Sequence, residues 1–315
     1  MISRRIIRTK AMHTLYAFYS SSEKSISNTE KELFFSIQKA YDLYHLLLAL
    51  GIEVKKYAAE RIESNRNKLR PTEDDLNPNL RFVNNAIIKK LEENVHFNEY
   101  LTDNKLSWIN SEDMIQQLYR FMVETDLYIE YMASEEDSFE QDKKFMDKFF
   151  TRILLNFEDL FSELEETSVY WNDDVDFIVS IISRTVKKFK AESSEHMRLL
   201  PLFKDDEDRE FAQELIRKVL INHKEYNTII KDNLKNWDID RIAFLDIIIM
   251  EMAVTEFLEF TAVPTKVTLN EYIELSKRYS TSRSSTFING ILDKILKDLK
   301  KNDRVKKAGR GLIGE

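Results

Sequence analysis

The amino-acid sequence predicts an all-α protein, and three observations lead to this prediction. Only 5 Gly and 4 Pro occur among 315 residues, whereas a β-rich fold needs turn residues about every 8–12 positions. Gly309, Gly311 and Gly314 lie in the last seven residues, so Gly51 and Gly290 are the only glycines in the rest of the chain. Apolar residues recur at the 3.6-residue spacing of helices through most of the sequence.

The same composition excludes several functional classes. With no Cys, the chain cannot form a disulfide, a thiolate zinc site, an iron–sulfur cluster or a cysteine nucleophile. The glycines are too scattered to build a loop that cradles phosphates. The five histidines show no pair at metal-ligand spacing and no cluster with carboxylates, and no acid–base pair stands out. We therefore expect a binding protein, not an enzyme, and no metal site.

The hydrophobic fraction of 43% is enough to bury a core. No apolar run approaches the roughly 18 residues that span a bilayer. The N-terminus superficially resembles a signal peptide, but Lys10 and His13 interrupt its apolar stretch, which is too short for a secretory leader. The sequence therefore predicts a cytoplasmic protein of about two domains with no membrane partner.

The net charge of −8 is unevenly distributed along the chain. Six Lys and Arg residues form a basic tail between residues 300 and 310, and the acids concentrate in 134–142, 158–166 and 204–210. Basic ends beside an acidic body are typical of contact with a polyanion, although charged ends are also common in helical proteins. Four more basic residues precede the first acid, Glu23: Arg4, Arg5, Arg8 and Lys10.

The predicted elements follow from the spacing of apolar residues and from the turn signals between them. Residues 3–20 form the first helix, and a polar linker over 20–30 leads to a second helix that extends to about residue 66. Residues 67–80, with two prolines, and residues 192–209, with Pro201 and an acidic run, are connectors. The other helices are predicted at about 81–102, 111–133, 140–166, 173–191, 207–233, 238–259, 267–279 and 284–301.

A faint internal repeat places residues 145–189 on residues 211–255 at a constant offset of 66. Both segments contain a helix, then a Trp with an acidic N-cap residue, then an apolar helix. A true duplication and the convergence of two helical hairpins on one pattern both explain this similarity. The matched pairs include Asn156 with Asn222, Trp171 with Trp237 and Asp174 with Asp240.

The most informative stretch covers residues 236–299. Its first helix is apolar almost all round, which predicts a position at the centre of a helical bundle. Ser284 or Ser285 is predicted to cap the last helix. Gly290 lies one turn into that helix, where Gly costs about 1 kcal/mol relative to Ala. We therefore expect a helix backbone to pack closely against Gly290.

Within this stretch the sequence resembles the NusB family of bacterial transcription antitermination factors. The similarity rests on several motifs that keep the family's order and spacing. The opening segment SRRIIRTKAMHTLYAF is also similar to the family's basic first helix. The motifs are Trp237 to Arg241, an apolar helix ending Glu256–Phe257, VPTKVTLNE (263–271), ELSKRY (274–279) and FINGILD (287–293).

The resemblance implies an all-helical protein without a cofactor. It implies binding of the boxA element of ribosomal RNA leader transcripts, together with the ribosomal protein NusE, inside a transcription elongation complex. Single-stranded RNA of this kind is held by basic side chains on phosphates and by aromatic rings on bases. The resemblance also assigns Asp246 to contact with NusE. The residues carried over as RNA-binding are Arg4, Arg5, Arg8, Lys10, Lys266, Lys277, Arg278, Arg283, Ser284 and Phe287.

Two departures from the family pattern affect these assignments. Arg283 stands where the family often has an acid, and with Lys277 and Arg278 it makes a more basic patch. This patch indicates either a stronger phosphate contact or a surface charge with no role. His13 stands where a glutamine is usual, which alters a local contact. For Phe287, a base-stacking residue and a plain core aromatic are both open.

The resemblance covers residues 1–65 loosely and 205–300 well, while typical members are roughly half this length. The predicted fold is a NusB-like helical bundle with an additional helical domain inserted in the N-terminal half. A helical protein-interaction scaffold that keeps the fold without binding RNA is the main alternative. An RNA-binding module of a ribosomal RNA methyltransferase is less favoured, because no glycine-rich cofactor segment is present. The predicted boundaries are 1–66 for the arm and first helices, 67–204 for the insertion, 205–301 for the C-terminal NusB-like domain and 302–315 for the basic tail.

Overall fold

The computed structural model describes residues 2–22, 25–234 and 242–313. Over these residues it contains α-helices, short π- and 3₁₀-helical turns and no β-strand, which confirms the all-α prediction. In chain order the helices are α1 (Arg4–Ser20), α2 (Ile26–Arg66), α3 (Glu73–Leu76), α4 (Ala86–Glu92), α5 (Val95–Asp103), α6 (Glu112–Val123), α7 (Asp126–Ala133), α8 (Phe139–Lys148), α9 (Glu158–Thr167), α10 (Val175–Lys188), α11 (Asp206–Asn233), α12 (Phe244–Glu259), α13 (Thr265–Tyr279) and α14 (Ser284–Lys301).

The chain divides into two compact units. We call Gln38–Leu202 the inner unit, and we call the two flanking segments, Ile2–Ile37 and the chain from Phe203 onward, the outer unit. The first residues of α2 belong to the outer unit and the rest to the inner unit. The domain boundaries inferred from the sequence, 66/67 and 204/205 among them, stay a prediction.

Helix α12 is the central helix of the outer unit. It packs against α1, α11, α13 and α14, and 11 of its 16 residues are buried. A helix that is apolar almost all round is stable where other helices enclose it, which confirms the prediction from its sequence. The predicted start of this helix, at residue 238, lies outside the described residues, and so do Trp237 to Arg241. The buried apolar side chains of α12 include Ile248, Ile249, Met250, Met252 and Phe257.

Two helices predicted in the inner unit are each divided by a capping side chain. The predicted helix 81–102 is α4 and α5, because Asn94 Oδ1 accepts a hydrogen bond from the Phe97 backbone N–H at 2.9 Å. The predicted helix 111–133 is α6 and α7, because the Thr125 hydroxyl accepts from the Tyr128 N–H at 3.2 Å. Such side chains offer the backbone a partner that a continuous helix does not need.

The predicted helix 140–166 is also interrupted. After α8 come a π-helical turn at Phe149–Ile153 and a 3₁₀ turn at Leu154–Asn156. Phe157 is extended, and α9 then begins at Glu158. In contrast, α11 continues without a break from Asp206 to Asn233. The proposed duplication of 145–189 in 211–255 stays a prediction, and its matched residues Trp237 and Asp240 lie outside the described residues.

The two segments predicted as connectors near the N-terminus contain some helix. The second helix begins at Ile26, within the predicted linker 20–30. The connector 67–80 holds the one-turn helix α3. There Thr72 and Asp75 form a capping box, in which each side chain accepts from the other residue's backbone N–H.

Close packing against a helical glycine occurs in the inner unit, at Gly51 of α2. A Cβ added to Gly51 would lie 3.1 Å from Met146 Cε and 3.6 Å from Phe150 Cζ. A Cβ added to Gly290 would meet no atom within 4 Å. The prediction that a helix backbone packs against Gly290 is therefore wrong, because this residue lies on an exposed part of α14.

Candidate nucleic-acid interface

The sequence predicts that the basic residues of α1 contact RNA, but the structure buries one arginine among them. Arg8 is 2% exposed, and its Nε and Nη2 donate to Glu256 Oε1 and Oε2 at 2.6 and 2.8 Å. Burial disfavours the charged guanidinium and lowers its pKa, but the Glu256 carboxylate has the larger effect and holds the pKa of Arg8 above its usual value. The Tyr272 hydroxyl also donates to Glu256, at 2.6 Å. Arg8 thus holds α1 against α12, and its predicted contact with RNA stays a prediction that its burial does not favour.

The other basic residues of α1 differ in how accessible they are. Lys10 is 4% exposed, which also argues against the predicted phosphate contact. Arg4 Nε pairs with Asp208 Oδ1 at 2.9 Å. The exposed Arg5 makes a two-pronged contact with Glu271, at 2.8 and 2.9 Å, and this contact lowers the pKa of the Glu271 carboxyl. Of these four residues, Arg4 and Arg5 therefore remain near the surface, and each is paired with an acid.

Asp246 lies beneath the first turn of α14 and is 3% exposed. Its Oδ1 accepts from the Ser280 hydroxyl at 2.5 Å, and its Oδ2 accepts from the Ser284 hydroxyl at 2.8 Å. Because both oxygens accept from hydroxyls at the end of α13 and the start of α14, the predicted contact of Asp246 with a protein partner stays a prediction that its burial does not favour. Ser284 is also poorly placed for its predicted phosphate contact, since it is 3% exposed and its hydroxyl donates to Asp246.

The first turns of α14 line an open groove. Arg283 is the N-cap residue of the helix, in place of the predicted Ser284 or Ser285. Its side chain is exposed, and the Phe287 ring is partly exposed one turn later. A cation and an aromatic face thus border the same space. The residues that line the groove are Ser282, Arg283, Thr286, Phe287, Gly290 and Ile291.

The remaining predicted cations lie on α13 and are all exposed. Lys277 and Arg278 lie in the last turn of α13, which the connection 280–283 joins to α14. Lys277 Nζ pairs with Glu274 at 2.6 Å, and the Arg278 guanidinium lies 5.4 Å from the Tyr279 ring centre. Lys266 lies in the first turn of α13, about 18 Å along the helix from Arg278, so the structure does not bring it to the groove.

The sequence shows no cluster of His with carboxylates, but the fold creates one. Glu251 of α12 is completely buried. Its Oε1 lies 2.8 Å from His223 Nδ1 and its Oε2 accepts from the Tyr19 hydroxyl at 2.9 Å. Burial raises the pKa of Glu251 to about 8, against the opposing effect of the Tyr19 hydrogen bond. In the sequence, Glu251 is one of four acids in the largely apolar α12, and nothing distinguishes it from the others.

A partly exposed aromatic patch adjoins this cluster, and the sequence analysis did not single it out. Tyr16 is 48% and Phe244 is 46% exposed, and their ring centres lie 5.6 Å apart. Tyr19 contacts the same Phe244 ring edge-on at 6.1 Å. Exposed aromatic rings in contact with one another are typical of protein-binding surfaces. We call Tyr16, Tyr19 and Phe244 the aromatic patch.

The basic tail folds back onto the end of α12. Lys307 Nζ donates to the backbone carbonyls of Glu256 and Phe260 at 3.0 and 2.8 Å. The Ala308 N–H donates to the Thr261 carbonyl at 3.0 Å. A lysine on the last carbonyls of a helix satisfies groups that have no intrahelical partner and complements the helix dipole. At least Lys307 is therefore engaged within the protein.

Two classes of site are absent from the described part of the chain. It holds no group of three His, Asp or Glu residues placed to bind a metal ion. No described helix combines the length and the apolar character needed to cross a bilayer.

Comparison with known proteins finds similarity to one family. A model described as the NusB family matches residues 173–297. Transcription antitermination protein NusB of Salinibacter ruber is 49% identical over 115 residues, 36% of this chain and 72% of that protein. The protein of the same name from Chloroherpeton thalassium is 39% identical over 109 residues, and this match spans 35% of the chain but only 52% of the relative. A solved structure described as T. maritima NusB has a TM-score of 0.29 at 25% identity, with 50% of this chain and 91% of that chain covered.

Proposed function

Because the chain belongs to the NusB family, as its 49% identity across 72% of a family member shows, we propose that it acts in transcription antitermination. Its role is that of a non-enzymatic factor that binds single-stranded RNA of the boxA type in a transcription elongation complex. The groove at the start of α14 carries this proposal. There the exposed Arg283 and the partly exposed Phe287 border one open space.

The chemistry of this groove suits single-stranded RNA. An arginine holds phosphate oxygens, and an aromatic ring stacks on an unpaired base. Lys277 and Arg278 extend the positive charge along the end of α13. Arg5 adds a cation on α1, although Glu271 competes for it. Arg8 takes no direct part and instead holds α1 in place from within.

The proposal is tested by fluorescence anisotropy with a labelled single-stranded RNA that carries a boxA element. Replacing Arg283 and Phe287 together by Ala should weaken binding about tenfold or more, because a phosphate contact and a stacked base are lost. The dependence of affinity on salt should also become shallower by about 0.7 in log–log slope.

Lys224 provides the matched control for this experiment. It is an exposed lysine on α11, and its replacement by Ala removes the same charge away from the groove. This variant should keep the affinity within about twofold. If the unmodified chain retained no RNA at moderate salt, even with NusE present, the alternative of a protein-interaction scaffold without RNA binding would replace this proposal.

We further propose that the aromatic patch receives the ribosomal protein NusE. Asp246 was the sequence-based candidate for this contact, but its carboxylate is buried against Ser280 and Ser284. Tyr16 and Phe244 expose nearly half of their surface on the neighbouring part of the outer unit. Large aromatic side chains of this kind are the common anchors of protein interfaces.

Replacing Tyr16 and Phe244 by Ala should weaken NusE binding by about 2 kcal/mol or more in isothermal titration calorimetry. The RNA affinity measured without NusE should stay unchanged, because neither residue lines the groove. Asp246→Asn serves as the comparison, and it should act through the stability of the α13–α14 connection. If NusE binding fell only in Asp246→Asn and not in the aromatic variant, the patch would be the wrong surface.

A further inference from the structure

The groove occupies only the first turns of α14, but the surface that it begins continues along the whole helix. Positions that follow Arg283 at alternating spacings of four and three residues share one side of the helix. They lie within about 40° of a single line along α14, at about 100° per residue. Each of them holds a cation, an aromatic ring or a glycine, and none holds an acid. We call this line the α14 stripe, which consists of Arg283, Phe287, Gly290, Lys294, Lys297 and Lys301.

The α14 stripe faces away from the core of the outer unit. The opposite side of the helix carries the buried residues Ile288, Leu292, Ile295 and Leu299, and α14 packs against α11, α12 and α13. Within the stripe, Phe287 is partly exposed and the other five residues are exposed. The whole stripe is therefore accessible to a ligand.

Gly290, in the middle of the stripe, is the observation that points to a ligand. Glycine destabilises a helix interior relative to Ala, and Gly290 has a negative φ that any residue adopts. A Cβ added there would meet no atom within 4 Å, so no described part of the chain uses the space beside this glycine. A glycine also serves where a ligand approaches the backbone closely, and the exposed α14 backbone at Gly290 offers such an approach.

The lysines of the stripe are not explained by contacts within the protein. Lys294 and Lys297 precede the last turn of α14, whereas the helix dipole favours cations mainly in that turn. Lys294 Nζ donates to the Asn233 carbonyl at 3.3 Å, and Lys297 Nζ forms an exposed pair with Asp293 at 2.5 Å. Exposed pairs contribute little to stability, and an ammonium group has three donors. Both lysines can therefore still bind a phosphate.

We propose that the RNA strand continues from the groove along the α14 stripe, with phosphates on Lys294, Lys297 and Lys301 and its backbone close to Gly290. The stripe is about 27 Å long at 1.5 Å per residue, the length of about eight phosphates in a stacked strand. Lysines bind phosphates without regard to base sequence, so the stripe extends the bound RNA beyond the bases that the groove holds. The continuity with Phe287, which can stack on a base, favours a nucleic acid over an acidic protein. This inference rests on the proposed RNA binding.

The test measures anisotropy of the full-length chain with two labelled RNAs. One is a short boxA oligonucleotide, and the other is the same oligonucleotide lengthened by about eight uridines at each end. The unmodified chain should bind the longer RNA about tenfold more tightly, because additional phosphates reach the lysines. Lys297→Ala with Lys301→Ala should abolish most of this gain and should make the salt dependence for the longer RNA shallower by about 1.4 in log–log slope.

Lys31→Ala with Lys204→Ala is the matched control, because it removes the same charge from exposed positions of the outer unit outside α14. This variant should retain the gain with RNA length. Retention of the gain in the variant of Lys297 and Lys301, or an equal loss in the control, would overturn the proposal.

Gly290→Ala tests the close approach without any change of charge. It should weaken binding of the longer RNA about threefold or more, because the added Cβ holds the strand away from the helix. Thermal unfolding should show that the variant is at least as stable as the unmodified chain, so a loss of affinity does not reflect unfolding. Unchanged affinity would contradict the close approach. If the short RNA bound without any gain from lengthening, only the stripe would be refuted, whereas failure of both RNAs to bind would refute the proposed function as well.

Discussion

The two units of this protein are both helical but differ in charge. The inner unit carries 21 Lys and Arg against 32 Asp and Glu, a formal charge of −11, whereas the rest of the chain carries 26 against 23, a charge of +3. The overall value of −8 hides this contrast. A polyanion is attracted by one unit and repelled by the other, so a single net charge is a poor guide to the partners of a two-unit protein.

The units also differ in the polar groups that they bury. The outer unit encloses an ion pair, Arg8 with Glu256, and the carboxyl of Glu251. The inner unit encloses His45, whose ring stacks on Tyr100 with centres 3.8 Å apart. Burial lowers the pKa of His45 to about 4, despite the opposing bond to the Tyr41 carbonyl. Burial thus favours the uncharged forms of Glu251 and His45, whereas the buried Arg8 keeps its charge beside Glu256.

Removal of one partner of the buried pair should have the largest effect. Glu256→Ala leaves the Arg8 guanidinium buried without its carboxylate, and it also removes the acceptor of the Tyr272 hydroxyl. The outer unit should lose about 3–5 kcal/mol of stability, measured by urea unfolding. Arg5→Ala, which breaks an exposed pair, should cost about 1 kcal/mol or less. Similar losses in the two variants would contradict a structural role specific to Arg8.

The second test uses pH, because the two units should respond in opposite directions. His45 has a folded pKa of about 4, below its unfolded value of about 6.5, so stability is lost as pH falls through this range. Glu251 has a folded pKa of about 8, above its unfolded value of about 4.3, so stability is lost as pH rises through that range. Each effect should be on the order of 3–5 kcal/mol across its full window.

Two variants separate these effects in urea unfolding followed by circular dichroism. Relative to the unmodified chain, His45→Phe should lose less stability between about pH 7 and pH 5. Glu251→Gln should lose less as pH rises from about 5 to about 8. A pH profile that neither variant changed would show that these groups do not set the pH dependence of the two units.

A third, smaller effect is expected at the docked tail of the outer unit. A Cβ on Gly311 would lie 1.9 Å from the Thr261 carbonyl oxygen, which belongs to the backbone and cannot rotate away. Gly311→Ala should therefore displace the tail and cost about 1–3 kcal/mol. Faster hydrogen exchange of the Ala308 amide would report the loss of its bond to the Thr261 carbonyl. Unchanged exchange there would mean that the tail does not depend on this contact.

The smallest effects compare one helical glycine from each unit. Gly290→Ala adds a Cβ in open space and should stabilise α14 by about 0.5–1 kcal/mol through helix propensity. Gly51→Ala adds a Cβ 3.1 Å from Met146 Cε. The close contact should offset most of the gain in helix propensity unless the flexible Met146 side chain moves. Thermal unfolding measures both. A larger gain for Gly51→Ala would show that the inner core has more room than its packing indicates.

The sequence alone determined the helical class, the existence of most helices and the family resemblance. These features depend on local spacing and on ordered motifs, and both can be read along the chain. The central position of α12 was also predictable, because a helix that is apolar on all sides has no stable exposed arrangement. The helix breaks at Asn94 and Thr125 were missed because these residues are weak signals until a backbone N–H donates to their side-chain oxygen.

Tertiary structure alone decided which basic residues are available for binding. Arg8 and Glu256 are 248 residues apart in the chain, so no local pattern reveals that this arginine is buried while Arg5 is exposed. The same holds for Asp246, whose partners Ser280 and Ser284 lie more than 30 residues later, after α13 and at the start of α14. A sequence motif shows which type of residue a position needs. Whether its charge faces solvent or a buried counter-charge is settled only when distant segments pack together.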